Sequence, residues 1–397
     1  MASVDAMPRI GGVSNFAHFC TNELANMCER VVFVGPSGTC MPKNYHCKYD
    51  LIEDAKSQKK NRFGKRPDKE FARIENLFTR IIDRYSLNRV FLFHPFYYGP
   101  PAAAVSKKLG LPFEMVVYGT ELTSQFPEAV AGNGDIEPRN IESLPFHLFS
   151  TMHRADRLIA ISRYTAMIAR NIIPEASIAV SCCGISAETF EIGQSKAASS
   201  LLQKKMRRLA LGGAERPQLC FIGRLVRHKR VDKIFSLISL LDADLVIVGD
   251  GPLREELRAE TIALDISERV RFEGQVSDER KWDLLAASDF LMLPSEYDDV
   301  TGGYEGFGIV ILESIAAGTI PICSGDCGTA DPTYLFGLGI AGLNSDRDVE
   351  ATAQKMNELL SDVESYKSKL QRDTITIKEN LMWSNVAANI TRGWSYE

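Results

Sequence analysis

The stretch Glu305–Ile322, EGFGIVILESIAAGTIPI, combines a glycine-containing turn, an apolar helical segment and the start of a buried strand. Gly306 and Gly308 stand just before the apolar run, and glycine permits backbone conformations and close approaches that other residues do not. A helix that begins after Gly308 has amides without intrahelical acceptors, here roughly those of Ile309 and Val310. Such a helix start is suited to binding a phosphate. Turn, helix and strand together are a unit of an α/β fold.

The same alternation of short apolar strands and helices continues on both sides of this stretch. The strands expected are Val31–Val34, Val90–Phe93, Glu114–Val117, Leu158–Ile161, Ala179–Ser181, Leu219–Ile222, Ala243–Val248, Val270–Glu273, Phe290–Leu293 and Ile320–Cys323. The helices expected are Asn15–Cys28, Glu70–Tyr85, Ala102–Leu109, Val231–Leu241, Pro252–Leu264, Glu279–Ala287, Gly308–Ala317 and Val349–Leu360. Strands that are apolar throughout, with helical crossovers, predict doubly wound parallel sheets in both halves.

The chain length and one polar segment predict two such domains. The 397 residues exceed the usual domain size of about 100–200 residues. Residues 191–217 are polar and rich in Ser, Ala and Lys, so we expect a linker there between Rossmann-like domains at 1–190 and 218–380. The carboxyl ends of both sheets would then surround a shared cleft, where ligands of open α/β sheets bind. Residues 381–397 predict a helix that either packs across the junction or belongs to the core of the second domain.

Composition excludes several classes of protein. A net charge of −5 argues against a nucleic-acid binder. No apolar run reaches the roughly 18 residues of a spanning helix, and the start, MASVDAMPRIGG, does not resemble a signal peptide. The nine Cys residues are irregularly spaced without a C-x-x-C pair, which indicates reduced thiols. We therefore expect a soluble, cytoplasmic protein.

One stretch, Lys56–Arg66, departs from the acidic balance of the chain because it is strongly basic. One interpretation is a solvated loop or helix face. The other is a contact for an anionic partner, or for the inner face of a membrane with which the protein associates peripherally. The residues alone leave both open.

Two carboxylates flank the helix start. Glu313 lies more than one turn inside the helix, where a carboxylate cannot bind phosphate but can accept two hydrogen bonds from a ribose diol. Glu305 stands just outside the helix, where it could face a sugar. The alternative is an ordinary loop with two solvated glutamates.

Two cations follow the predicted strand Leu219–Ile222. Arg224 and Lys229, in FIGRLVRHK, stand at its carboxyl end, where they suit a diphosphate of about two to three negative charges. The alternative is a plain charged surface, and we expect the neighbouring Arg227 and Arg230 to be solvated.

A weaker glycine turn, IGGVSNF at Ile10–Phe16, precedes a helix near the start of the chain. Gly11 and Gly12 would bring the backbone close to a phosphate from a second side. The alternative is a simple turn, and these residues do not form a G-x-G-x-x-G fingerprint.

Five segments of the second half resemble glycosyltransferase family 4, also known as group 1, whose members are retaining enzymes with the two-domain GT-B fold. They are FIGRLVRHKRVD (Phe221–Asp232), LVIVGDGPLREEL (Leu245–Leu257), VRFEGQVSDE (Val270–Glu279), SDFLMLPSEY (Ser288–Tyr297) and Glu305–Ile322. The first half is similar more loosely, through IGGVSNF, VVYGTEL and DRLIAISRYT…VSCCGIS. The resemblance covers nearly the whole chain. It implies transfer of a hexosyl group from a nucleotide-diphosphate sugar to a saccharide or lipid-linked acceptor, as in polysaccharide biosynthesis.

The resemblance also implies a role for each matching residue. Arg224 and Lys229 match the pair that holds the donor diphosphate, and Glu305 matches the acid beside the donor sugar and its reactive carbon. Glu313 matches the acid that binds ribose. The other donor contacts implied are Gly12 at a phosphate, Phe307, Gly308, Ile309 and Val310 at the sugar hydroxyls and phosphate, and Gln275–Val276 along the nucleobase. The first domain would bind the acceptor and the second the nucleotide sugar, without a cofactor or a catalytic metal.

The chain departs from the family pattern in several places. Tyr118, in VYGTEL, replaces a His that commonly touches the donor sugar, and Glu121 stands where Asp is usual. The loop Tyr297–Tyr304 is extra, and we expect no metal role for Asp298 and Asp299 within it.

The segment FLFHPFYYG ends a predicted strand of the first half. His94 is interpreted as a structural histidine or as an acceptor contact. The aromatic set Phe96, Tyr97 and Tyr98 is interpreted as a platform for a sugar or as core.

The expected mechanism is same-face attack, in which the departing phosphate deprotonates the acceptor hydroxyl. Two rival functions stay open from the residues: a nucleotide-sugar epimerase or sugar phosphorylase of the same architecture, and a non-catalytic homologue that only binds. Backbone contacts read the nucleobase, so UDP and GDP donors are not distinguished.

Overall fold

The computed structural model describes residues 1–3, 11–40, 48–56, 67–119, 121–123, 144–210, 216–336, 341–343, 349–392 and 394. The chain forms two compact units. Unit 1 comprises Met1–Gly184 and Trp383–Glu397, and unit 2 comprises Ile185–Met382. Both are α/β, as the sequence predicts.

Unit 1 contains parallel strands with helical crossovers. Its strands are β1 (Val32–Pro36), β2 (Asp50–Asp54), β3 (Val90–Leu92), β4 (Phe113–Val117), β5 (Arg157–Ala160) and β6 (Ile178–Val180). Its described helices are α1 (Gly12–Met27), α2 (Pro67–Tyr85), α3 (Gly99–Leu109), α4 (Leu144–His153), α5 (Arg163–Ile172) and, at the end of the chain, α14 (Trp383–Thr391). Ala2 bridges β1 at Val34 and β3 at Leu92 in parallel, so the order is β2, β1, Ala2, β3, β4, β5, β6.

The last segment of the chain completes unit 1. Helix α14 packs against α1, and the Trp383 ring lies 5.0 Å from that of Phe16. Further on, the Trp394 indole donates a hydrogen bond of 2.8 Å to the buried Glu114 carboxylate of β4. Arg89 and Arg157 also pair with Glu114, which compensates the burial of its charge.

Unit 2 has one parallel sheet of six strands. These are β7 (Gln218–Ile222), β8 (Asp244–Val248), β9 (Val270–Gly274), β10 (Phe290–Leu293), β11 (Ile320–Ser324) and β12 (Ala341–Leu343). The described helices are α6 (Ala187–Ala210), α7 (Val231–Leu240), α8 (Arg254–Ala263), α9 (Asp278–Ala287), α10 (Ile309–Ala316), α11 (Asp331–Phe336), α12 (Val349–Ser361) and α13 (Val363–Asn380). The sheet order, β12-β11-β10-β7-β8-β9, is that of a doubly wound Rossmann fold, with its switch point between β7 and β10.

The domain boundaries differ from those expected. The predicted linker, 191–217, lies largely within α6, whose Gln194 donates to the Ala316 carbonyl at 2.8 Å. Its Ser- and Ala-rich composition suits a helix packed closely on its neighbours, since a Cβ on Gly193 would lie 2.7 Å from that of Ala316. The predicted 381–397 helix is α14 of unit 1, so it is not a core helix of the second domain.

Among the described residues, no helix combines the length and apolar character needed to cross a membrane.

Two strands of the structure, β2 and β12, were not predicted from the sequence.

Candidate functional site

The turn after β7 carries Arg224 between two close backbone contacts. Gly249, with φ 126°, follows β8, and a Cβ there would lie 1.9 Å from the Gly223 carbonyl oxygen. Gly251 is held as closely to Leu225, with a Cβ 2.4 Å from its carbonyl oxygen. Both positions therefore require glycine. The Arg224 side chain is exposed and forms no ion pair with the described residues, so its charge is available to a ligand.

A short 3₁₀ turn, Arg227–Lys229, follows and leads into α7 through Arg230, which has φ 47°. Arg230 pairs with Asp232 at 2.9 Å and with Glu296 at 2.6 Å, so the expectation that it is solvated is wrong. Arg227 is 62% exposed and lies 3.6 Å from Asp298. These partners fix the turn and leave Lys229 pointing toward Glu305.

Lys229 and Glu305 form a close ion pair, which we call the loop pair, and both side chains are largely buried. Burial raises the pKa of the Glu305 carboxyl, but the Lys229 ammonium and the Phe307 amide outweigh it and hold this pKa below its usual value. His228 lies beside the pair. Burial, with the nearby Lys229 and Arg224 charges, lowers the pKa of His228 to about 4, so its ring is neutral at pH 7.

Helix α10 begins beside the loop pair with open backbone donors. Gly308 precedes it with φ 83°, and no side chain caps the helix. The Ile309 and Val310 amides have no backbone acceptor within the described part of the chain, and both residues are only partly buried. Phe307 is buried and anchors the turn. The free amides predicted at this helix start are therefore present, with no acid in the first turn to compete for an anion.

Gly328 lets a second loop pack on the Glu305 segment. A Cβ on Gly328 would lie 1.9 Å from the Gly306 carbonyl oxygen, and the Gly328 amide donates to the Glu305 carbonyl at 3.0 Å. The sequence analysis did not identify this glycine, because it lies outside the motif and 22 residues after Gly306.

Glu313 forms a second ion pair, which we call the helix pair. Its carboxylate on α10 accepts a hydrogen bond of 2.9 Å from the Lys281 ammonium on α9. Both side chains are about four-fifths buried, at 15% and 22% exposed. The sequence missed Lys281, because 32 residues separate the partners and no motif links them.

Val276, expected along a nucleobase, lies just after β9. It is partly buried and packs with Ile222 against Val246, Val248 and Leu284. Gln275 beside it is exposed. Unit 2 thus gathers Arg224, Lys229, Glu305 and the start of α10 at the carboxyl ends of β7 and β10, with Val276 just after β9.

Gly12, His94 and Tyr118 all lie in unit 1, and His94 and Tyr118 stand at the carboxyl ends of β3 and β4. Gly12 opens α1, is exposed, and would meet no atom within 4 Å if it carried a Cβ. One turn later, the Phe16 ring lies 5.7 Å from Tyr118, which stacks on His94 at 6.5 Å. His94 Nδ1 accepts the Phe96 amide at 3.4 Å, which is a structural role.

Glu121 has a clear structural task in this turn. Its buried carboxylate accepts the backbone amides of Tyr118 and of Gly119, and burial raises its pKa. The longer side chain in place of the usual Asp therefore still caps the turn after β4.

Tyr97 and Tyr98 belong to the core of unit 1, with exposures of 3% and 0%, so they are not a sugar platform. Their hydroxyls contact a buried ionic cluster in which Arg73 pairs with Asp54 at 2.7 Å and with Glu70 at 2.7 Å. Satisfying these charges favours burial over exposure of the two rings.

Two further predictions concern surface loops. Asp298 accepts the Val300 amide at 3.1 Å and the Thr301 hydroxyl at 2.6 Å, so its carboxylate organises the extra loop Tyr297–Tyr304. Among the described residues, no three His, Cys, Asp or Glu side chains are grouped as metal ligands. The basic stretch Lys56–Arg66 lies outside the described residues beyond Lys56.

A family model for glycosyl transferases group 1 matches residues 204–374, which contain the whole unit 2 site. One relative is the GDP-mannose-dependent alpha-(1-6)-phosphatidylinositol monomannoside mannosyltransferase of Mycobacterium tuberculosis. It is 31% identical over 208 residues, which are 50% of this chain and 52% of the relative. The chain thus spans about half the length of this relative.

Solved structures with similar folds cover nearly the whole chain. Anabaena Alr3699/HepE in complex with UDP superposes with a TM-score of 0.70 at 15% identity, over 98% of each chain. WaaG, a glycosyltransferase involved in lipopolysaccharide biosynthesis, superposes with a TM-score of 0.64 at 17% identity, over 99% of each chain. The expected GT-B fold is confirmed.

Proposed function

We propose that this chain, whose residues 204–374 match the group 1 glycosyltransferases, transfers a hexosyl group from a nucleotide-diphosphate sugar to a saccharide or lipid-linked acceptor, with retention at the anomeric carbon. Retention is the outcome expected of family 4. We propose GDP-mannose as the first donor to test, since the mycobacterial relative is GDP-mannose-dependent.

One observation carries the proposal. An exposed arginine and two helix amides that have no partner among the described residues occupy the same switch point of the unit 2 sheet as a largely buried lysine. Arg224 and Lys229 follow β7, while the Ile309 and Val310 amides follow β10. As the glycosidic bond breaks, negative charge grows on the leaving diphosphate, and donors held in place stabilise it without reorganisation. These groups are therefore the proposed diphosphate site.

Glu305 has a different proposed role, because an ionised carboxylate repels phosphate. Its low pKa keeps it charged, and its pairing with Lys229 places it beside the proposed diphosphate. There it would orient the donor sugar and stabilise positive charge on the sugar ring. The departing phosphate would take the proton of the acceptor hydroxyl, so no enzymatic base and no metal or cofactor is proposed.

The acceptor is proposed to meet unit 1, which carries Gly12, His94 and Tyr118 at the carboxyl ends of its strands. The basic stretch Lys56–Arg66 is the proposed contact for an anionic acceptor or a membrane surface, and the acceptor of the mycobacterial relative is a phosphatidylinositol mannoside.

The test is Arg224→Ala, with Arg227→Ala as the matched control. Both side chains are exposed and close in sequence, but Arg227 lies beside Asp298. Loss of one such donor costs about 3–4 kcal/mol of barrier, so Arg224→Ala should retain less than about 1% of transfer from GDP-mannose or a UDP-sugar. Arg227→Ala should retain most of it.

Equal activity of the two variants, measured by mass spectrometry of product, would remove the proposed diphosphate site. Conversion of donor without an acceptor would favour an epimerase instead. Anomeric configuration of the product, read by NMR, tests retention.

A further inference from the structure

In the helix pair, only one of the two Glu313 carboxylate oxygens accepts a hydrogen bond from the described residues. The Lys281 ammonium donates to one oxygen of Glu313 at 2.9 Å, and the described residues offer no donor to the other oxygen. The only other carboxylate near Lys281 among them is that of Asp278, at 4.0 Å and 84% exposed, so it is a weak competitor. Glu313 thus keeps an open acceptor next to a fixed positive charge.

The pair is not needed to hold its two helices in place. Both α9 and α10 pack against α6. Lys196 of α6 pairs with Asp283 of α9 at 2.6 Å, and Gln194 of α6 donates to the Ala316 carbonyl of α10 at 2.8 Å. A largely buried ion pair is weak evidence for a stabilising role, because the cost of desolvating both charges offsets their attraction. A purely structural account therefore leaves the placement of Lys281 largely unexplained.

We propose that Lys281 is a positioning residue that makes the site selective for a nucleotide with an intact pentose diol. This rests on the proposed function, in which Glu313 binds the ribose of the donor. Lys281 fixes the direction of the Glu313 carboxylate through this hydrogen bond. Its remaining N–H groups stand beside that carboxylate, so a hydroxyl that donates to Glu313 can accept from Lys281.

A diol suits this arrangement, since each of its hydroxyls is both a donor and an acceptor. A nucleotide that lacks the hydroxyls leaves the two charged groups paired only with each other and gains nothing from them. Sites built to hydrogen-bond a hydroxyl discriminate strongly against analogues without it. The selectivity is therefore expected for both uridine and guanosine nucleotides.

The test compares Lys281→Met with Lys196→Met by isothermal titration. The control removes another lysine of unit 2 that pairs across helices, at a similar exposure of 30%. The probes are GDP and 2′,3′-dideoxy-GDP, with UDP as a second nucleotide. Lys281→Met should bind GDP roughly 10-fold more weakly than the wild type, while dideoxy-GDP binding stays unchanged. Lys281→Arg should recover part of the loss, and Lys196→Met should behave like the wild type.

Glu313→Gln and the wild type separate the two possible failures. A weaker preference for GDP over dideoxy-GDP in Glu313→Gln than in the wild type would show that Glu313 contributes to this preference. If Lys281→Met nevertheless keeps the wild-type preference, the inference is overturned and the proposed function stands. An equal loss of both probes in Lys281→Met would overturn it as well. A wild type that binds neither GDP nor UDP would overturn the proposed function, and the inference with it.

Discussion

The loop pair and the helix pair bring the same two side chains together in different surroundings. Lys229 and Glu305 lie in turns, beside an unpaired arginine, a neutral histidine and two free amides. Lys281 and Glu313 lie on two helices with no such neighbours among the described residues. The loop pair is therefore placed to respond to charge that changes during a reaction, and the helix pair to recognise a group that does not react. We expect the loop pair to set kcat and the helix pair to set donor affinity.

The largest effect is expected for Lys229→Ala. Loss of a fixed cation at a leaving diphosphate costs about 3–4 kcal/mol, so kcat at saturating donor should fall by roughly 10²–10³-fold. Lys281→Met should leave kcat within a few-fold of wild type. If steady-state kinetics showed that Lys281→Met loses as much kcat as Lys229→Ala, the division of roles between the two pairs would be wrong.

Lys229→Ala also leaves the buried Glu305 carboxylate without its partner, which could destabilise unit 2. The double variant Lys229→Met/Glu305→Gln is neutral at both positions and serves as the control. If it folds with a wild-type melting temperature and still lacks activity, the loss belongs to the chemistry.

An intermediate effect is expected for variants of the two glutamates. Glu305→Gln should lower kcat with little change in KM for the donor. Glu313→Gln should raise that KM by roughly 10- to 100-fold, because hydrogen bonds to a charged group contribute about 1.5–3 kcal/mol. Matching changes in kcat for both variants would contradict the division of roles.

The smallest effect is expected in the pH dependence of stability, through His228, which lies beside the loop pair and has no counterpart beside the helix pair among the described residues. Its pKa is about 4 in the folded chain against 6.5 as the reference value. In the unfolded chain this ring is therefore protonated below about pH 6.5, whereas in the folded chain it is protonated only below about pH 4. The free energy of unfolding falls as the pH is lowered through this window. His228→Asn should remove about 1–2 kcal/mol of the stability lost between pH 7 and pH 5.

Urea unfolding at pH 7 and at pH 5 measures the contribution of His228 to this loss of stability. His18→Asn is the comparison in unit 1, since burial also lowers the pKa of His18 to about 4. If Lys281→Met also changed how the free energy of unfolding falls between pH 7 and pH 5, the loss of stability in acid would not belong to the loop pair.

Much of the fold and of the unit 2 site could be predicted because local pattern and function coincide there. Phe290–Leu293 is observed at its predicted bounds, since a buried parallel strand is apolar throughout. The open amides after Gly308 follow from the position of a glycine before an apolar run. In contrast, β2 reads DLIED, and its charged residues at the edge of the sheet hide the strand.

What could not be predicted depends on contacts between distant residues. Helix α6 has too weak an apolar pattern to stand out, and only its packing on α9 and α10 identifies it as part of unit 2. In the sequence, nothing distinguishes Lys281 from a surface lysine, because only the fold brings Glu313 of α10 beside it. The burial of Tyr97 and Tyr98 depends on an arginine 24 residues earlier, which no local pattern reveals.

The discontinuity of unit 1 has a consequence for synthesis on the ribosome. Ile185–Met382 is continuous in sequence and can fold once it has emerged, as domains generally do during translation. The other unit is interrupted by it and needs α14 and the Trp394 indole, which are made only after Ile185–Met382. The first part of unit 1 therefore cannot be completed until the whole of unit 2 has been made, and until then Phe16 of α1 lacks its contact with Trp383.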